Sequence, residues 1–201
     1  MNFLAHAHVA RHAPGGDAAG YVLGAVLPDL LPMAGVRLDR AAVPAAVAAG
    51  WRSHHVADAA FHAHRTFIDG VGALRTDLRR TGLDTGPRRA VAHVGWELLL
   101  DDAVFEDEAT IAAFRAALDV ARDLTDDPAW SAFLSRFAGI RAAPPAPIAV
   151  VTERVQRAVG RRPRLAFTDE HLASVAAVLG EHRPAILAAA PALLEELAEV
   201  A

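Results

Sequence analysis

Three residues at a four-residue spacing, His54, Asp58 and His62, could bind a metal ion from one face of a helix. The segment from Trp51 to Arg65 contains no glycine or proline, which favours a helix, and each residue of a helix turns by about 100°. Residues four and eight apart therefore fall within a narrow arc. Because a helix normally keeps one stripe apolar, a stripe of imidazoles and a carboxylate indicates a metal-binding face in a cleft.

A second pair with helical spacing, His93 and Glu97, could supply further ligands from a facing helix. Divalent ions in phosphoesterase sites bind imidazole nitrogens and carboxylate oxygens, and the chain has no cysteine to offer a thiolate. His6 or His8 of the N-terminal segment, together with Asp29, could complete the same site or form a second one. The alternative is that each histidine is an ordinary core or surface residue, but the joint spacing favours a metal site.

A metal bound at these residues would predict hydrolytic chemistry. A bound ion lowers the pKa of water toward neutrality, so that metal-bound hydroxide could attack a phosphodiester. Arg65, predicted on the helix face of His54, could hold a phosphate group through two hydrogen bonds, and a surface arginine is the alternative. We therefore expect His54, Asp58 and Arg65 to be catalytic, and His8 and His55 to contact the substrate.

A cluster of five arginines within eleven residues forms a positive patch on a chain whose net charge is -4. The members of this arginine patch are Arg154, Arg157, Arg161, Arg162 and Arg164. The patch could bind a phosphate or dock an acidic protein, and the alternative is a solvated helix end where cations offset the helix dipole. The acidic overall balance argues against a general nucleic-acid binder.

The elements that must position these residues are predicted to be helices. Hydrophobic residues make up 53% of the 201-residue chain, and no segment alternates in polarity for long enough to indicate a strand. The predicted helices cover 2–12, 17–31, 44–67, 73–80, 88–105, 108–124, 128–137, 148–159, a stretch after Thr168, and 184–200. Asp17 is expected to cap the second helix, and the proline-rich segment 144–147 is the one candidate linker. A single all-α domain spanning residues 1–201 is therefore predicted.

Neither a signal peptide nor a membrane span is predicted. The first eight residues lack a basic region and carry polar residues where the apolar core of a signal peptide would lie. The chain contains no run of about 18 apolar residues free of charge. A cytoplasmic location is the expected default, and the oligomeric state stays open.

The residues assembled above resemble the acyl-carrier-protein phosphodiesterase family. The run Asn-Phe-Leu-Ala-His-Ala-His, from Asn2 to His8, is similar to the N-terminal signature of that family. The segment 20–29 is similar to its following glycine-and-aspartate helix, 50–62 to its His-x-x-x-Asp helix, and 161–165 to its Arg-Arg-Pro-Arg-Leu segment. The matches occur in the same order over most of the chain.

The resemblance implies an all-helical fold related to HD-type metal phosphohydrolases. It implies a divalent ion, with manganese as the first candidate and zinc or iron as alternatives. It further implies hydrolysis of the phosphodiester that joins 4′-phosphopantetheine to acyl carrier protein, an acidic partner that would meet Arg161, Arg162 and Arg164. The expected pool of metal ligands is His6, Asp29, His54, Asp58, His62, His93 and Glu97.

Two departures from the family pattern leave the substrate open. The family has acids at the positions that match His62 and His93, and an aspartate at the position of Ala25. The histidine-rich set also resembles the broader helical zinc-dependent phospholipase and nuclease group. A small nucleotide, phospholipid or other phosphoester is therefore the alternative substrate, and a non-catalytic helical binding module is the alternative to an enzyme.

Overall fold

The computed structural model describes residues 1–16 and 18–201, and all regular structure among these residues is helical. The predicted all-α class is confirmed, whereas Asp17, the expected cap of the second helix, lies outside the described residues. The α-helices of the described part are α1 (Phe3–His12), α2 (Ala19–Ala34), α3 (Ala45–Ala63), α4 (Arg65–Asp77), α5 (Thr85–Ala103), α6 (Glu108–Ala121), α7 (Pro128–Leu134), α8 (Ile148–Gly160) and α9 (Leu172–Val200). Within the same residues, no helix has both the length and the apolar character needed to cross a membrane.

The chain divides into two compact units. The first unit comprises Met1–Phe61, Val104–Pro144 and Leu194–Ala201, and the second comprises His62–Ala103 and Pro145–Leu193. The first unit therefore holds α1, α2, most of α3, α6 and α7, whereas the second holds α4, α5, α8 and most of α9. The prediction of one domain for residues 1–201 stays a prediction.

A cluster of aromatic rings anchors α1 in the first unit. Phe3 of α1 stacks on Phe114 of α6 with ring centroids 5.4 Å apart, and Phe137 lies edge-on to these two rings at 5.6 and 5.5 Å. Offset-stacked and edge-to-face pairs are the favoured arrangements of aromatic side chains. Leu4 and Val9 are also buried, so this short helix is held firmly enough to present a histidine to the interior.

Two glycines bring α2 and α3 into direct backbone contact. A Cβ atom at Gly24 would lie 2.0 Å from the carbonyl oxygen of Val47, and one at Gly50 would lie 1.9 Å from the carbonyl oxygen of Tyr21. Such an approach is possible only where no side chain intervenes. The contact fixes how far α3 can slide along α2, and therefore fixes the position of His54, one turn beyond Gly50.

The second unit is built around α5, which packs against α4 and α8. The side chains of Trp96, Leu99 and Leu100 on α5 are fully buried. A Cβ atom at Gly70 of α4 would lie 2.4 Å from Nε1 of Trp96, so α4 also meets its neighbour through a glycine. This packing orients the remaining face of α5, which carries His93.

The prediction of one central helix through residue 67 is wrong. The helix α3 ends at Ala63, and α4 begins at Arg65 and continues through Gly70, where a helix end was expected. Between the two helices, His64 is extended, with φ -70° and ψ 136°, and its Nδ1 accepts a hydrogen bond from the Thr66 N–H at 3.2 Å. A side chain that accepts from the first turn of a helix acts as its N-cap, so a new helix starts there.

Candidate functional site

The seven residues predicted as metal ligands fall into two sets, one in each unit. The buried donor set of the first unit consists of His6, Asp29, His54 and Asp58. The open donor set of the second unit consists of His62, His93 and Glu97. Within each set, three residues offer nitrogen or oxygen atoms that all lie within 4.8 Å of one another, and in the buried donor set these three are His6, Asp29 and His54.

His6 of α1 is the centre of the buried donor set. Its Nε2 lies 3.7 Å from Oδ1 of Asp58 and 4.0 Å from Oδ2 of Asp29, distances too long for hydrogen bonds. The side chain is 1% exposed, and its Nε2 has no hydrogen-bond partner among the described residues. Burial lowers the pKa of His6 to about 3. The imidazole is therefore neutral near pH 7, which is the form that binds a metal ion.

His54 of α3 lies beside His6, with the two rings stacked at a centroid distance of 3.9 Å. Its Nδ1 donates a hydrogen bond to the carbonyl oxygen of Ala25 in α2 at 2.8 Å, since a carbonyl can only accept. The lone pair is therefore on Nε2 whenever the ring is neutral. Burial lowers the pKa of His54 to about 4. A backbone carbonyl that orients an imidazole in this way is the usual support of a metal-binding histidine.

The two carboxylates form the solvent side of the buried donor set. Asp29 of α2 is 23% exposed and Asp58 of α3 is 34% exposed at the side chain, against 1% for His6. The N-terminal ammonium of Met1 lies 2.9 Å from Oδ1 of Asp58. The set is thus closed on its imidazole side and accessible at its carboxylates. Two neutral imidazoles and two carboxylates suit a divalent cation.

The open donor set brings three atoms together at nearly equal distances. Oε1 of Glu97 lies 3.2 Å from Nε2 of His93 and 3.5 Å from Nε2 of His62, and the two Nε2 atoms are 3.3 Å apart. Ligand atoms placed 2.0–2.1 Å from a tetrahedral zinc ion are about 3.3 Å apart, so the spacing of these three atoms matches that of ligands in such a site. Burial raises the pKa of Glu97, but hydrogen bonding with His62 and His93 outweighs it and holds the pKa below its usual range.

Aromatic rings frame the open donor set on one side, and solvent reaches it on the other. Phe67 lies edge-on to His62 and His93 at centroid distances of 5.1 and 5.2 Å, and Trp96 lies edge-on to Phe67 at 5.3 Å. The side chains of His62 and His93 are 34% and 43% exposed. Three protein ligands with a solvent-facing fourth position are typical of catalytic metal sites.

His8 does not join either donor set in the structure. Its Nδ1 lies 3.1 Å from Oδ2 of Asp107 and 3.0 Å from the hydroxyl oxygen of Thr110, and Arg11 donates to the same Asp107 oxygen at 3.1 Å. Burial lowers the pKa of His8 to about 4. Sequence reasoning missed Asp107 as a partner of His8, although its position before α6 marks it as a helix cap, which it is.

The interpretation that placed Arg65 on the helix face of His54 is wrong. Arg65 is the first residue of α4 in the second unit, its side chain is 88% exposed, and its Nε donates to Asp69 at 3.3 Å. His55 remains on α3 and is exposed, and its Nε2 accepts a hydrogen bond from Nη2 of Arg40 at 2.9 Å. Sequence reasoning did not find Arg40, because the sequence of a loop does not predict which side chains of a neighbouring helix the loop residues will contact.

The arginine patch belongs to the second unit, and all five of its members are exposed. Arg154 and Arg157 lie on α8, and the other three follow the end of that helix, where the 3₁₀ turn Pro163–Leu165 packs on α5. The predicted role of the patch in binding a phosphate or an acidic protein stays a prediction.

The comparisons with known proteins give no match that could indicate a function, so any functional conclusion rests on the two donor sets. The family resemblance of the sequence motifs stays an expectation. No protein-family model, no curated protein and no solved structure matches this chain.

Proposed function

We propose that this chain is a metal-dependent hydrolase of phosphodiesters. The observation that carries the proposal is the buried Nε2 of His6, which has no hydrogen-bond partner among the described residues and faces Asp29 and Asp58. A buried polar atom left unsatisfied costs about 1–3 kcal/mol. A divalent cation among these donors would remove that cost and would bind the carboxylates of Asp29 and Asp58.

The residues of the buried donor set have distinct roles in this proposal. His6 and His54 supply neutral nitrogens, and the Ala25 carbonyl keeps the His54 ring in the orientation that exposes Nε2. Asp29 and Asp58 supply charge on the side that a substrate can reach. A divalent cation held by these residues would supply Lewis-acid chemistry, which lowers the pKa of bound water and stabilises charge on phosphoryl oxygens. Manganese, zinc and iron(II) all accept such a mixed nitrogen and oxygen donor set.

The open donor set is proposed as a second metal position. The support is the near-equal spacing of its three donor atoms, which matches the edges of a tetrahedral site. Two imidazoles and one carboxylate also form the donor combination that a divalent transition-metal ion takes in proteins. Each donor set can be loaded and tested separately by substitution.

The first substrate we propose is holo-acyl carrier protein, cleaved at the phosphodiester of its 4′-phosphopantetheine group. The support comes from the sequence motifs at 2–8, 50–62 and 161–165. It also comes from the exposure of every arginine in the patch, since a positive surface is complementary to an acidic carrier. Substitution of the patch should raise KM for the carrier without changing the hydrolysis of a small chromogenic phosphodiester.

The proposal is tested by elemental analysis of purified protein after incubation with manganese. We expect bound manganese in the wild type and the loss of one equivalent in the double variant His54→Ala with Asp58→Ala. The matched control, His12→Ala with Asp119→Ala, removes an exposed histidine and an exposed aspartate outside both sets and should retain the metal. An absence of stoichiometric manganese, zinc or iron from the wild type would reject the proposal.

A small phosphoester is the second candidate substrate. The burial of His6 and His54, at 1% and 6% exposure, favours it because a donor set reached only along its carboxylate edge suits a slender ligand. Turnover of a nucleotide or phospholipid head-group ester by the metal-loaded protein, with no turnover of holo-carrier protein, would select this candidate. Activity on holo-carrier protein that exceeds activity on free phosphopantetheine esters would exclude it.

A further inference from the structure

A second arginine, Arg40, contacts the helix that carries His54. Arg40 lies in the loop between α2 and α3, and its Cζ is 4.4 Å from the centroid of the Trp51 ring. Its Nη2 also donates to Nε2 of His55 at 2.9 Å. A cation–π contact and a hydrogen bond together fix the plane of the guanidinium group, so this exposed side chain is held in one orientation.

Among the residues that the structure describes, no carboxylate forms an ion pair with Arg40, whose recorded partners are an indole ring and an imidazole nitrogen. A guanidinium group has five N–H donors in a planar fork, and the bond to His55 uses one of them. The remaining donors match the spacing of two oxygens of a phosphoryl group, which arginine binds through paired hydrogen bonds.

The position of Arg40 relates it to the buried donor set. Trp51, His55 and Asp58 are spaced by four and three residues on α3 and share one stripe of that helix. The His54 ring of the donor set lies 5.3 Å from the His55 ring. The helix rises about 4.5 Å between His55 and Asp58, so the stripe leads from Arg40 to the carboxylate edge of the donor set.

A further donor on this stripe also lacks a partner. The Nε1 atom of Trp51 is buried and has no hydrogen-bond partner among the described residues. Because indole Nε1 can only donate, the group that would satisfy it is an acceptor. Among the described residues, a guanidinium group without an ion pair thus lies over an indole ring whose N–H has no acceptor, and an oxyanion would satisfy the free donors of the guanidinium group.

We propose that Arg40 binds a phosphoryl oxyanion of the substrate beside the buried donor set, with Trp51 and His55 holding its guanidinium group in place. The inference rests on the proposed function, because it takes a phosphate ester as the ligand. It identifies Arg40, and not Arg65, as the arginine that orients the phosphoryl group next to His54. Arg40 thus acts in binding, and its loss should raise KM more than it lowers kcat.

The experiment measures the binding of inorganic phosphate to the full-length protein, both manganese-loaded and metal-free, by calorimetry and by tryptophan fluorescence. In Arg40→Gln the affinity for phosphate should fall by at least about 10-fold, since a hydrogen bond to a charged group is lost. In Arg40→Lys the affinity for phosphate should fall less, because lysine keeps the positive charge but lacks the planar fork of N–H donors. The matched control Arg37→Gln, an exposed arginine of the same loop, should bind phosphate like the wild type.

Fluorescence identifies the site that responds. Phosphate binding should change tryptophan emission in the wild type and in Arg37→Gln, and Trp51→Phe should abolish the change while the other two tryptophans remain. Manganese content should be the same in Arg40→Gln, Arg37→Gln and the wild type. A thermal unfolding scan that matches the wild type shows that Arg40→Gln is folded.

The outcomes separate this inference from the proposed function. Phosphate affinity that is equal in Arg40→Gln and the wild type would overturn the inference even if manganese is bound, and so would the absence of phosphate binding by the manganese-loaded wild type. If the protein binds no metal, the proposed function fails. Phosphate binding to the metal-free protein that depends on Arg40 would then still support the oxyanion site.

Discussion

The two donor sets share their residue types but differ in how the protein holds them. In the buried donor set, His6 and His54 are 1% and 6% exposed, and a backbone carbonyl orients one of the two rings. In the open donor set, His62 and His93 are 34% and 43% exposed, and the Phe67 ring lies edge-on to both. Burial with a fixed backbone partner favours slow exchange of a bound ion, whereas exposure favours rapid exchange and access for substrate.

The largest expected effect is on the rate at which each set releases its metal. In manganese-loaded wild type treated with excess chelator, one equivalent should leave quickly and the other slowly. His6→Ala should remove the slowly released equivalent, and His93→Ala the rapidly released one. Loss of a residue that only supports a ligand already weakens metal binding by about 10- to 100-fold, so loss of a ligand itself should weaken it more. Release of both equivalents at one rate would contradict the contrast between the sets.

The next effect is a change in the free energy of unfolding when the packing that positions each donor set is disturbed. Gly24→Ala should lower the free energy of unfolding by about 3 kcal/mol, because its Cβ would meet a backbone carbonyl oxygen at 2.0 Å. Gly95→Ala in the second unit should cost about 1 kcal/mol, because its Cβ would meet the flexible Leu179 side chain at 2.7 Å. Urea denaturation measures both values. Equal losses would show that the first unit is no more rigid around its donors than the second.

A smaller effect is expected from Glu97→Gln in the open donor set. The neutral amide keeps the shape but removes the charge, so the affinity for the rapidly exchanging ion should fall by about 10-fold. The slowly released equivalent should not change. A competition titration with a metallochromic chelator gives the affinity. Asp69→Asn, an exposed carboxylate of the same unit paired with Arg65, is the matched control.

A last expected effect tests a part of the first unit that carries no metal donor. Asp107 caps α6 by accepting from the N–H groups of Ala109 and Thr110 at 3.0 and 3.1 Å. Burial raises the pKa of Asp107, but the hydrogen bonds from Thr110 and the charge of Arg11 outweigh it and hold the pKa below its ordinary value of 3.8. Asp107→Ala should therefore cost about 1–2 kcal/mol at neutral pH.

The pH dependence of this cost follows from the lowered pKa. A carboxylate with a lowered pKa stabilises the fold above its unfolded value, and the stabilisation disappears as the pH falls toward the folded value. The difference in stability between the wild type and Asp107→Ala should thus be constant above about pH 5 and shrink below about pH 4. A difference that does not change between pH 3 and pH 7 would show that Asp107 acts through its neutral hydrogen bonds alone.

Much of the helical framework could be predicted from the sequence, because apolar spacing and glycine or proline breaks act locally. The predicted segment 2–12 corresponds to α1 (Phe3–His12), and 108–124 to α6. Two boundaries failed for physical reasons. His64 caps a new helix through a side-chain hydrogen bond, and α9 runs through Pro184, where a helix start was expected. Proline marks a break only when its lost N–H bond is not offset by packing.

The candidate site was partly predictable. The i, i+4 pair His93 and Glu97 comes together through helical spacing, with Oε1 of Glu97 3.2 Å from Nε2 of His93. The contact of this pair with His62, which the spacing had grouped with His54 and Asp58, depends on packing between helices. The separation of the ligand pool into two sets, the pairing of His8 with Asp107 and the position of Arg40 depend on contacts between residues far apart in sequence. Local periodicity carries no information on such contacts, and the resemblance in motifs does not supply it.

The hydrogen bonds of the proline-rich segment 144–147 should determine how its backbone exchanges hydrogen with solvent. Three of its four residues are prolines, so Ala146 has the only backbone N–H, and it donates to Oδ1 of buried Asp102 at 2.8 Å. Arg183, paired with Asp102, donates to the Ala146 carbonyl oxygen at 2.8 Å. A stretch that reads as a flexible linker should therefore yield one amide that exchanges slowly with deuterium, and Arg183→Met should make that amide exchange fast.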